Sequence, residues 1–199
     1  MKKLAVRLIL LFVIISGGIS VSAQSADTFR ELDIDKEWGE NPFTFFKGSG
    51  LLLAAGNEES HNAMTVGWGA LGNLWGKIGA NTVTVYVAEG RYTYRFMEAN
   101  EYFTVMAFDK EYDDVLVYMG TNSGRDGNKA DALGLHTLYT EHGTPYYAEA
   151  CLVLECRIIY KAPFLEEGMC DEAKKFYSNF SAGVHHQYIG NVVKALIKN

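Results

Sequence analysis

The sequence of 199 residues contains only three cysteines and three prolines, and no apolar run in it reaches the length of a membrane-spanning helix. Three cysteines are too few, and odd in number, for a disulfide framework, so cross-links are not expected to hold the fold together. The prolines and the 20 glycines are spread along the chain and mark no linker. What remains, 48% hydrophobic and 21% charged residues, is typical of one globular domain.

The first 23 residues have the features of a secretory signal peptide. The basic residues Lys2, Lys3 and Arg7 precede an apolar run over residues 8–15, and small residues stand before a cleavage point after Ala23. The run is too short for a membrane anchor, which needs about 20 apolar residues. We therefore predict an exported protein, with the periplasm as its compartment and no stable membrane insertion after cleavage.

The predicted mature chain is acidic. Without residues 1–23 it has 15 basic and 24 acidic residues, a net charge of −9, whereas the full sequence carries −6. Nucleic acids and anionic membranes attract basic surfaces. The charge therefore argues against both as partners.

Strand patterns dominate the rest of the chain. Apolar runs and period-two alternation predict strands over residues 50–56, 82–87, 102–108 and 149–160. Short helices are predicted over residues 92–100, 110–119, 129–133 and 171–177. Residues 187–197 fit a strand or a helix equally well, because a short apolar run is ambiguous.

These elements predict the fold class. Residues 24–40 have no sustained period and are interpreted as an N-terminal arm, which leads into one domain over residues 41–199. Strands with short, interspersed helices favour a mainly β fold of the α+β kind over a doubly wound parallel sheet. We expect an antiparallel barrel, closed or split. In the strand over 149–160, Leu154 and Cys156 share one face, and Glu155 and Arg157 share the other.

The glycines at 67, 69 and 72 match the spacing of a dinucleotide-binding turn. In that turn the third glycine opens a helix whose N-terminus holds the pyrophosphate. Residues 73–81 contain two further glycines and have no helical period. The spacing is therefore not interpreted as a Rossmann fold.

Other catalytic and metal-binding patterns are weak. Cys151 and Cys156 are five positions apart on a predicted strand, so their side chains point to opposite faces and cannot form a disulfide. The neighbours His185 and His186 diverge in an extended chain, and no second cluster supplies further zinc ligands. No Gly-x-Ser-x-Gly elbow indicates a serine hydrolase. We predict no metal site.

Two segments have a richer composition. Residues 62–69 combine glycines, a hydroxyl, an amide and an indole, which suit a loop lying against a flat polar ligand. Residues 120–129 combine three glycines with hydroxyls, an arginine and a lysine just before a predicted helical turn. That set can bind a phosphate, although a solvated turn has a similar composition.

Several motifs in order carry a family resemblance. They are Asn62-Ala63-Met64-Thr65 with Trp68-Gly69, Val85-Tyr86-Val87 before Arg91-Tyr92-Thr93-Tyr94, Ser123-Gly124-Arg125-Asp126 with Lys129, Glu149-Ala150 before Cys156, and His185 with Tyr188-Ile189-Gly190. Over residues 41–196 the sequence resembles the flavin reductase-like FMN-binding split-barrel family, to which the electron carrier flavoredoxin is also similar. The resemblance implies a six-stranded Greek-key split β-barrel, a homodimer, and FMN at or near the dimer interface.

The sequence departs from the family at some positions. Ile78 stands where relatives commonly have a proline, and Ala88 stands near a position that often carries an arginine. Many relatives are cytoplasmic, whereas this chain carries a predicted export signal. NADH and NADPH are cytoplasmic, so export leaves the electron donor open.

The resemblance implies roles for individual residues. The FMN phosphate is assigned to Ser123, Arg125 and Lys129, with Arg91 as a second candidate. The isoalloxazine ring is assigned to Asn62, Met64, Thr65 and Trp68, and the ribityl chain to Tyr92 and Thr93. Asp126 is expected to orient Arg125 without touching FMN, and His185 is a tentative residue of the substrate side.

The implied function is that of an FMN-dependent oxidoreductase. Electrons would pass from a reduced donor such as NAD(P)H through FMN to a flavin, ferric or other acceptor, so the partners are a small-molecule or protein donor and acceptor. Direct hydride transfer between stacked rings requires no general acid or base, and no catalytic residue is predicted. Two alternatives stay open: a non-enzymatic FMN electron carrier, and a split-barrel binding module for another flat ligand such as a tetrapyrrole.

Overall fold

The computed structural model of the protein describes residues 28–199; the predicted signal peptide lies outside them. Eight antiparallel strands form the main sheet of this region: β1 (Phe29–Glu31), β2 (Leu51–Gly56), β3 (His61–Val66), β4 (Gly69–Leu74), β5 (Gly79–Ala88), β6 (Tyr102–Ala107), β9 (Leu152–Pro163) and β10 (His185–Lys198). A separate hairpin consists of β7 (Thr137–Tyr139) and β8 (Pro145–Tyr147).

The main sheet is curved around a core but is not closed. Its order is β3-β2-β6-β9-β10-β5-β4, and β1 pairs with the end of β10. The edge strands β3 and β4 do not pair with each other in the described part of the chain. This is the predicted mainly β, split-barrel architecture. The expected six strands are corrected to eight, because the predicted arm supplies β1 and the glycine-rich residues 69–74 supply β4.

Short helices decorate the sheet. They are α1 (Ile34–Glu37), α2 (Tyr94–Ala99), α3 (Asp113–Thr121), α4 (Lys129–Leu133) and α5 (Asp171–Ser178), with 3-10 turns at Gly76–Ile78, Lys110–Tyr112 and Glu166–Gly168. The four predicted helices correspond to α2, to a 3-10 turn followed by α3, to α4 and to α5. All helices within residues 28–199 are too short or too polar to cross a lipid bilayer.

Strand β2 is buried on both faces of the sheet. In β2, Leu51 and Leu53 pack in the core inside the curved sheet, whereas Leu52 and Ala54 pack in a second core. The second core lies under α3, α4 and the β7–β8 hairpin. Because both faces are covered, β2 is a continuous apolar run, as its sequence predicted.

The face assignment of β9 needs one correction. Glu155 was expected on the polar face opposite Leu154, yet its side chain is 1% exposed. The β7–β8 hairpin covers that face, and one carboxylate oxygen of Glu155 accepts hydrogen bonds from Thr140 and Thr144 and contacts His142. The strand also begins at Leu152, so Cys151 precedes it.

Strand pairing decides the secondary structure of two other segments. Residues 187–197, ambiguous in sequence, belong to strand β10, which pairs with both β5 and β9. The expected loop over residues 62–69 is wrong, because residues 61–66 form β3 against β2. Only Gly67 and Trp68 connect β3 to β4. Backbone pairing between β2 and β3 outweighs the polar, glycine-rich composition of this segment.

Candidate functional site

Two adjacent clefts lie beside the first half of β3. The first cleft has a volume of about 120 Å³ and is bounded by β3, the turn after β5 and the loop after α3. Eight of the twelve predicted site residues line it: Asn62, Met64, Arg91, Tyr92, Thr93, Ser123, Arg125 and Lys129. The fold therefore brings together three segments that are far apart in the chain.

A buried polar pair joins two of these segments. The Asn62 amide donates a hydrogen bond of 2.7 Å to the Thr93 hydroxyl, and both residues are buried. Asn62 and Met64 share one face of β3, because side chains on a strand alternate. Thr93 immediately precedes α2. The pair thus fixes the start of α2, and with it Tyr92, against the strand.

Lys129 is a buried cation at the wall of the first cleft. Its side chain donates to the backbone carbonyls of Met119 (2.6 Å) and Asn122 (3.0 Å), at the carboxyl end of α3. Burial, with the nearby Arg91 as a smaller cause, lowers the pKa of Lys129 to about 8. One of the three ammonium N–H donors has no acceptor among residues 28–199 and is available to a ligand.

Three cations meet at the first cleft without a carboxylate partner. Among the ion pairs of residues 28–199, none involves Arg91, Arg125 or Lys129. Arg125 donates to the Gly90 carbonyl (3.3 Å), and its guanidinium carbon lies 5.2 Å from the centre of the Tyr92 ring. A cleft with uncompensated positive charge attracts an anion.

The loop between α3 and α4 holds its shape through its own hydrogen bonds. The Asn128 side chain caps α4 by accepting from the backbone N–H of Ala130 (3.0 Å). The Ser123 hydroxyl accepts from the backbone N–H of Arg125 (3.2 Å). The predicted helical turn after this loop is therefore confirmed, and the loop presents Ser123 and Arg125 to the cleft.

Five aromatic rings form a cluster next to the first cleft. His185 on β10 lies 4.6 Å from Trp68 and 5.2 Å from Phe180 between ring centres, and its Nδ1 atom lies 3.0 Å from the Tyr177 hydroxyl. Phe176 packs against Trp68 and Phe180. Burial lowers the pKa of His185 to about 4, with Arg91 as a smaller cause, so the ring is neutral at physiological pH.

Comparison with known proteins identifies the family of this fold and site. Residues 46–199 match the family model described as "Flavin reductase like domain". The chain belongs to the flavin reductase-like family. No curated protein matches it at a significant level.

Solved structures of this flavin reductase-like fold are similar. Flavoredoxin from Methanosarcina acetivorans is 22% identical with a TM-score of 0.57, and the match covers 73% of this chain and 66% of that one. An FMN-binding domain of a flavin reductase-like enzyme from Shewanella baltica is 17% identical with a TM-score of 0.60, covering 86% of this chain and 78% of that one. The chain thus spans about two thirds of the length of that flavoredoxin. At these identities the likeness shows the fold.

The first cleft fits the phosphate end of FMN. A phosphate dianion requires charge-assisted donors, and the cleft offers two guanidinium groups, one free ammonium N–H and the Ser123 hydroxyl. Gly124 lets the loop pack closely against the cleft wall, because a Cβ there would stand 2.8 Å from Asn62 Cγ and 2.9 Å from Tyr92 Cδ1. The cleft is too small for a whole nucleotide, so the flavin ring must extend beyond it.

Four predicted site residues do not line the first cleft. The Thr65 hydroxyl donates to the Leu116 carbonyl and ties β3 to α3. Asp126 is exposed and forms no ion pair with Arg125, so its expected orienting contact is not present. Trp68 and His185 belong to the aromatic cluster instead. They lie near the cleft, since the charge of Arg91, which lines it, also lowers the pKa of His185.

Sequence reasoning missed some of the cleft wall. Gly90, Met119, Gly120 and Asn122 also line it, and Met119 and Asn122 contribute the carbonyls that hold Lys129. These residues act through their backbone, which leaves little signal in residue type. The position of Lys129, directly after a glycine-rich loop and at the first residue of α4, was the available hint.

A methyl group at position 124 tests the shape of the first cleft. We expect Gly124→Ala to weaken FMN binding by about tenfold or more, because Asn62 and Tyr92 must move and a misplaced charge-assisted contact is worth roughly 1.5 kcal/mol or more. Gly168→Ala is the matched control, since a Cβ there meets nothing within 4 Å. Fluorescence titration with FMN measures the effect, and equal affinities of the two variants would contradict the assignment.

Proposed function

We propose that the protein is an exported FMN-dependent oxidoreductase that passes electrons from a reduced donor, such as NADH or NADPH, to a flavin, ferric or other soluble acceptor. The observation that supports this most is the first cleft, where Arg91, Arg125 and Lys129 lie together and form no ion pair with a carboxylate of residues 28–199. Membership of the flavin reductase-like family supports a flavin as the ligand of this cleft. The mature chain's predicted export and the identity of donor and acceptor are parts of this proposal.

The residues of the cleft would hold FMN in a fixed position. Bound FMN supplies the redox chemistry, and the protein binds and orients it. Arg91, Arg125 and the free N–H of Lys129 bind the phosphate. Asn62 is locked by Thr93, so its side chain is preorganised at the cleft floor. Met64 gives an apolar wall on the same face of β3.

The aromatic cluster would border the substrate side of the flavin ring. Trp68 is 47% exposed, and Phe176 is 42% exposed, so two flat apolar surfaces face solvent next to the cleft. His185 is neutral at physiological pH and places no charge there. A planar donor or acceptor is favoured at such a surface, because it stacks on rings and displaces water.

The protein is proposed to form a homodimer. Trp75, Ile78 and Tyr160 are exposed apolar side chains, and the rings of Trp75 and Tyr160 lie edge to face at 6.3 Å. Apolar surface of this kind is stabilised when it is buried in an interface. Light scattering of the protein from Gln24 onward measures its mass, and a monomer would contradict the homodimer.

The visible spectrum and its bleaching test the proposed function. The purified protein should be yellow, release FMN at about one per chain on heating, and lose its flavin absorption when NADH or NADPH is added without oxygen. A colourless protein that does not take up added FMN would refute the flavin function. Isolation from the periplasmic fraction with Gln24 as first residue would support export, and a cytoplasmic full-length chain would refute it.

A non-enzymatic carrier is the second candidate. Two of the similar structures are flavoredoxins, from Methanosarcina acetivorans and from Desulfovibrio vulgaris. A carrier would hold FMN tightly and be reduced by a protein donor, but its bleaching by NADH or NADPH would be negligible. The rate of that bleaching therefore separates the two functions.

A further inference from the structure

The aromatic cluster leaves apolar surface exposed beside the first cleft. Trp68 and Phe176 pack against each other at 5.7 Å between ring centres, and both remain exposed. Leu165 is also exposed, and it follows Phe164, whose backbone N–H donates to the His185 carbonyl (3.0 Å). Exposed apolar side chains that lie together mark interaction sites, whereas single ones are ordinary.

Acidic side chains border this apolar surface. Leu165 is followed by the 3-10 turn Glu166–Gly168 and then by α5, which begins with Asp171 and Glu172. Glu172 and Phe176 are four residues apart on α5, so they lie on the same side of the helix. The acidic residues at positions 166, 167, 171 and 172 are all exposed, and none forms an ion pair within residues 28–199.

The basic residues nearby do not cancel this charge. Residues 164–180 contain these four acids and only two lysines, Lys174 and Lys175. At about 100° per helical residue, Lys174 stands on the side of α5 opposite Phe176. Arg91 lines the first cleft, where the FMN phosphate is proposed to neutralise it. The apolar surface therefore keeps a negatively charged border.

The charge decides which partner fits the surface. In a two-fold interface a second copy of the chain would set the same acids against each other, and an anionic membrane would be repelled. A basic protein instead meets the border with charges of opposite sign, which speed the encounter. Redox proteins form small, short-lived interfaces of less than about 1,200 Å², and a patch of a few apolar and acidic side chains suits that size.

We propose that Trp68, Leu165 and Phe176, with the four acidic residues, form a docking surface for a basic redox protein that accepts electrons from the reduced flavin. A planar redox group at the partner's surface, such as a haem edge, would lie against the two rings. Oxidation of one FMNH2 to FMN gives up two electrons and two protons, so two ferric haems become ferrous and the protons pass to solvent. This inference rests on the proposed flavin function and names the class of its acceptor.

The acids of the docking surface are separate from the residues that would hold FMN. None of the four lines the first cleft or the second, larger cleft of about 460 Å³ beside the β2–β3 turn. Neutralising them should therefore leave FMN bound, and a change in electron transfer can be assigned to docking.

Ferric cytochrome c, a basic haem protein, is the probe. The FMN-loaded mature chain is reduced with one equivalent of dithionite and mixed with the probe by stopped flow without oxygen. At an ionic strength of about 10 mM, the quadruple variant Glu166→Gln, Glu167→Gln, Asp171→Asn and Glu172→Gln should reduce the probe at least about tenfold more slowly than the wild type, since charge steering raises association rates by roughly 10- to 1,000-fold. At about 0.5 M salt the two rates should converge, because charges are then screened within a few ångströms.

The matched control neutralises four exposed acids in other parts of the fold. It is the quadruple variant Glu31→Gln, Glu40→Gln, Glu111→Gln and Asp114→Asn, and none of these residues forms an ion pair within residues 28–199. Both variants have the same net charge, so the attraction of the whole molecule for the probe changes equally. The control should stay within about threefold of the wild-type rate, because its acids lie away from the docking surface.

The outcomes separate this inference from the proposed function. A wild type that holds no FMN would overturn both. If FMN is bound and reduced, but cytochrome c is not reduced or is reduced at a rate independent of ionic strength, the docking surface alone is overturned. An equal fall of the rate in the two variants would show that net charge alone attracts the probe, which also overturns the docking surface.

Discussion

Replacing Arg91 and Arg125 together with alanine is expected to weaken FMN binding by about 100-fold or more. Each charge-assisted hydrogen bond to the phosphate is worth roughly 1.5–3 kcal/mol, and about 1.4 kcal/mol corresponds to a factor of ten. Both arginines line the first cleft, and neither forms an ion pair with a carboxylate in the described part of the chain. Fluorescence titration of the apo-protein measures the change.

Two controls make this result specific. Arg157→Ala removes an exposed arginine of β9 that lines neither cleft, so FMN affinity should stay within about twofold of the wild type. Riboflavin has no phosphate, and its affinity for the double variant should change little. If the double variant binds FMN as tightly as the wild type, the phosphate does not bind in this cleft.

FMN affinity is expected to fall as the pH rises from about 7 to about 9, by up to about tenfold. Burial lowers the pKa of Lys129 to about 8 in the free protein, so the ammonium loses its proton in this range. A bound phosphate favours the charged form and raises that pKa again, and FMN binding must then take up a proton above about pH 8. Below that pH Lys129 is already charged, and the affinity should be nearly constant.

The same titration with riboflavin identifies the group responsible. Without a phosphate there is no reason for Lys129 to take up a proton, so riboflavin affinity should not fall over this range. The FMN phosphate is already a dianion throughout, because its second pKa is near 6. An FMN affinity independent of pH, or a parallel fall for riboflavin, would show that Lys129 does not face the phosphate.

Local periodicity accounts for the parts of the fold that the sequence predicted. The alternation Thr82-Val83-Thr84-Val85 places valines inside and marks β5, because side chains on a strand change face at every residue. The short helices were predicted in the same way, from windows of a few residues. The polar loop before α4 was recognised from its glycines, hydroxyls and cations.

The features that the sequence did not predict depend on tertiary partners. Strand β4 has the weak strand sequence Gly-Ala-Leu-Gly-Asn-Leu, and it forms because β5 offers a free edge. Strand β1 forms because the end of β10 extends past β5, whose pairing with β10 stops at Asn191, and accepts β1 on that free edge. Glu155 is buried because the β7–β8 hairpin closes over it. The partner of β4 is the next strand in the chain, whereas β10 is far from β1 in sequence.

The candidate site shows the same division. By itself the sequence determined which residue types are present: cations and a hydroxyl near a glycine-rich loop, and an amide on a neighbouring segment. Only the tertiary structure decided that Asn62 meets Thr93, that Lys129 is buried at the end of α3, and that Thr65 and Trp68 face elsewhere. The physical reason is that strand register and helix docking, which join residues distant in the chain, fix where each side chain points.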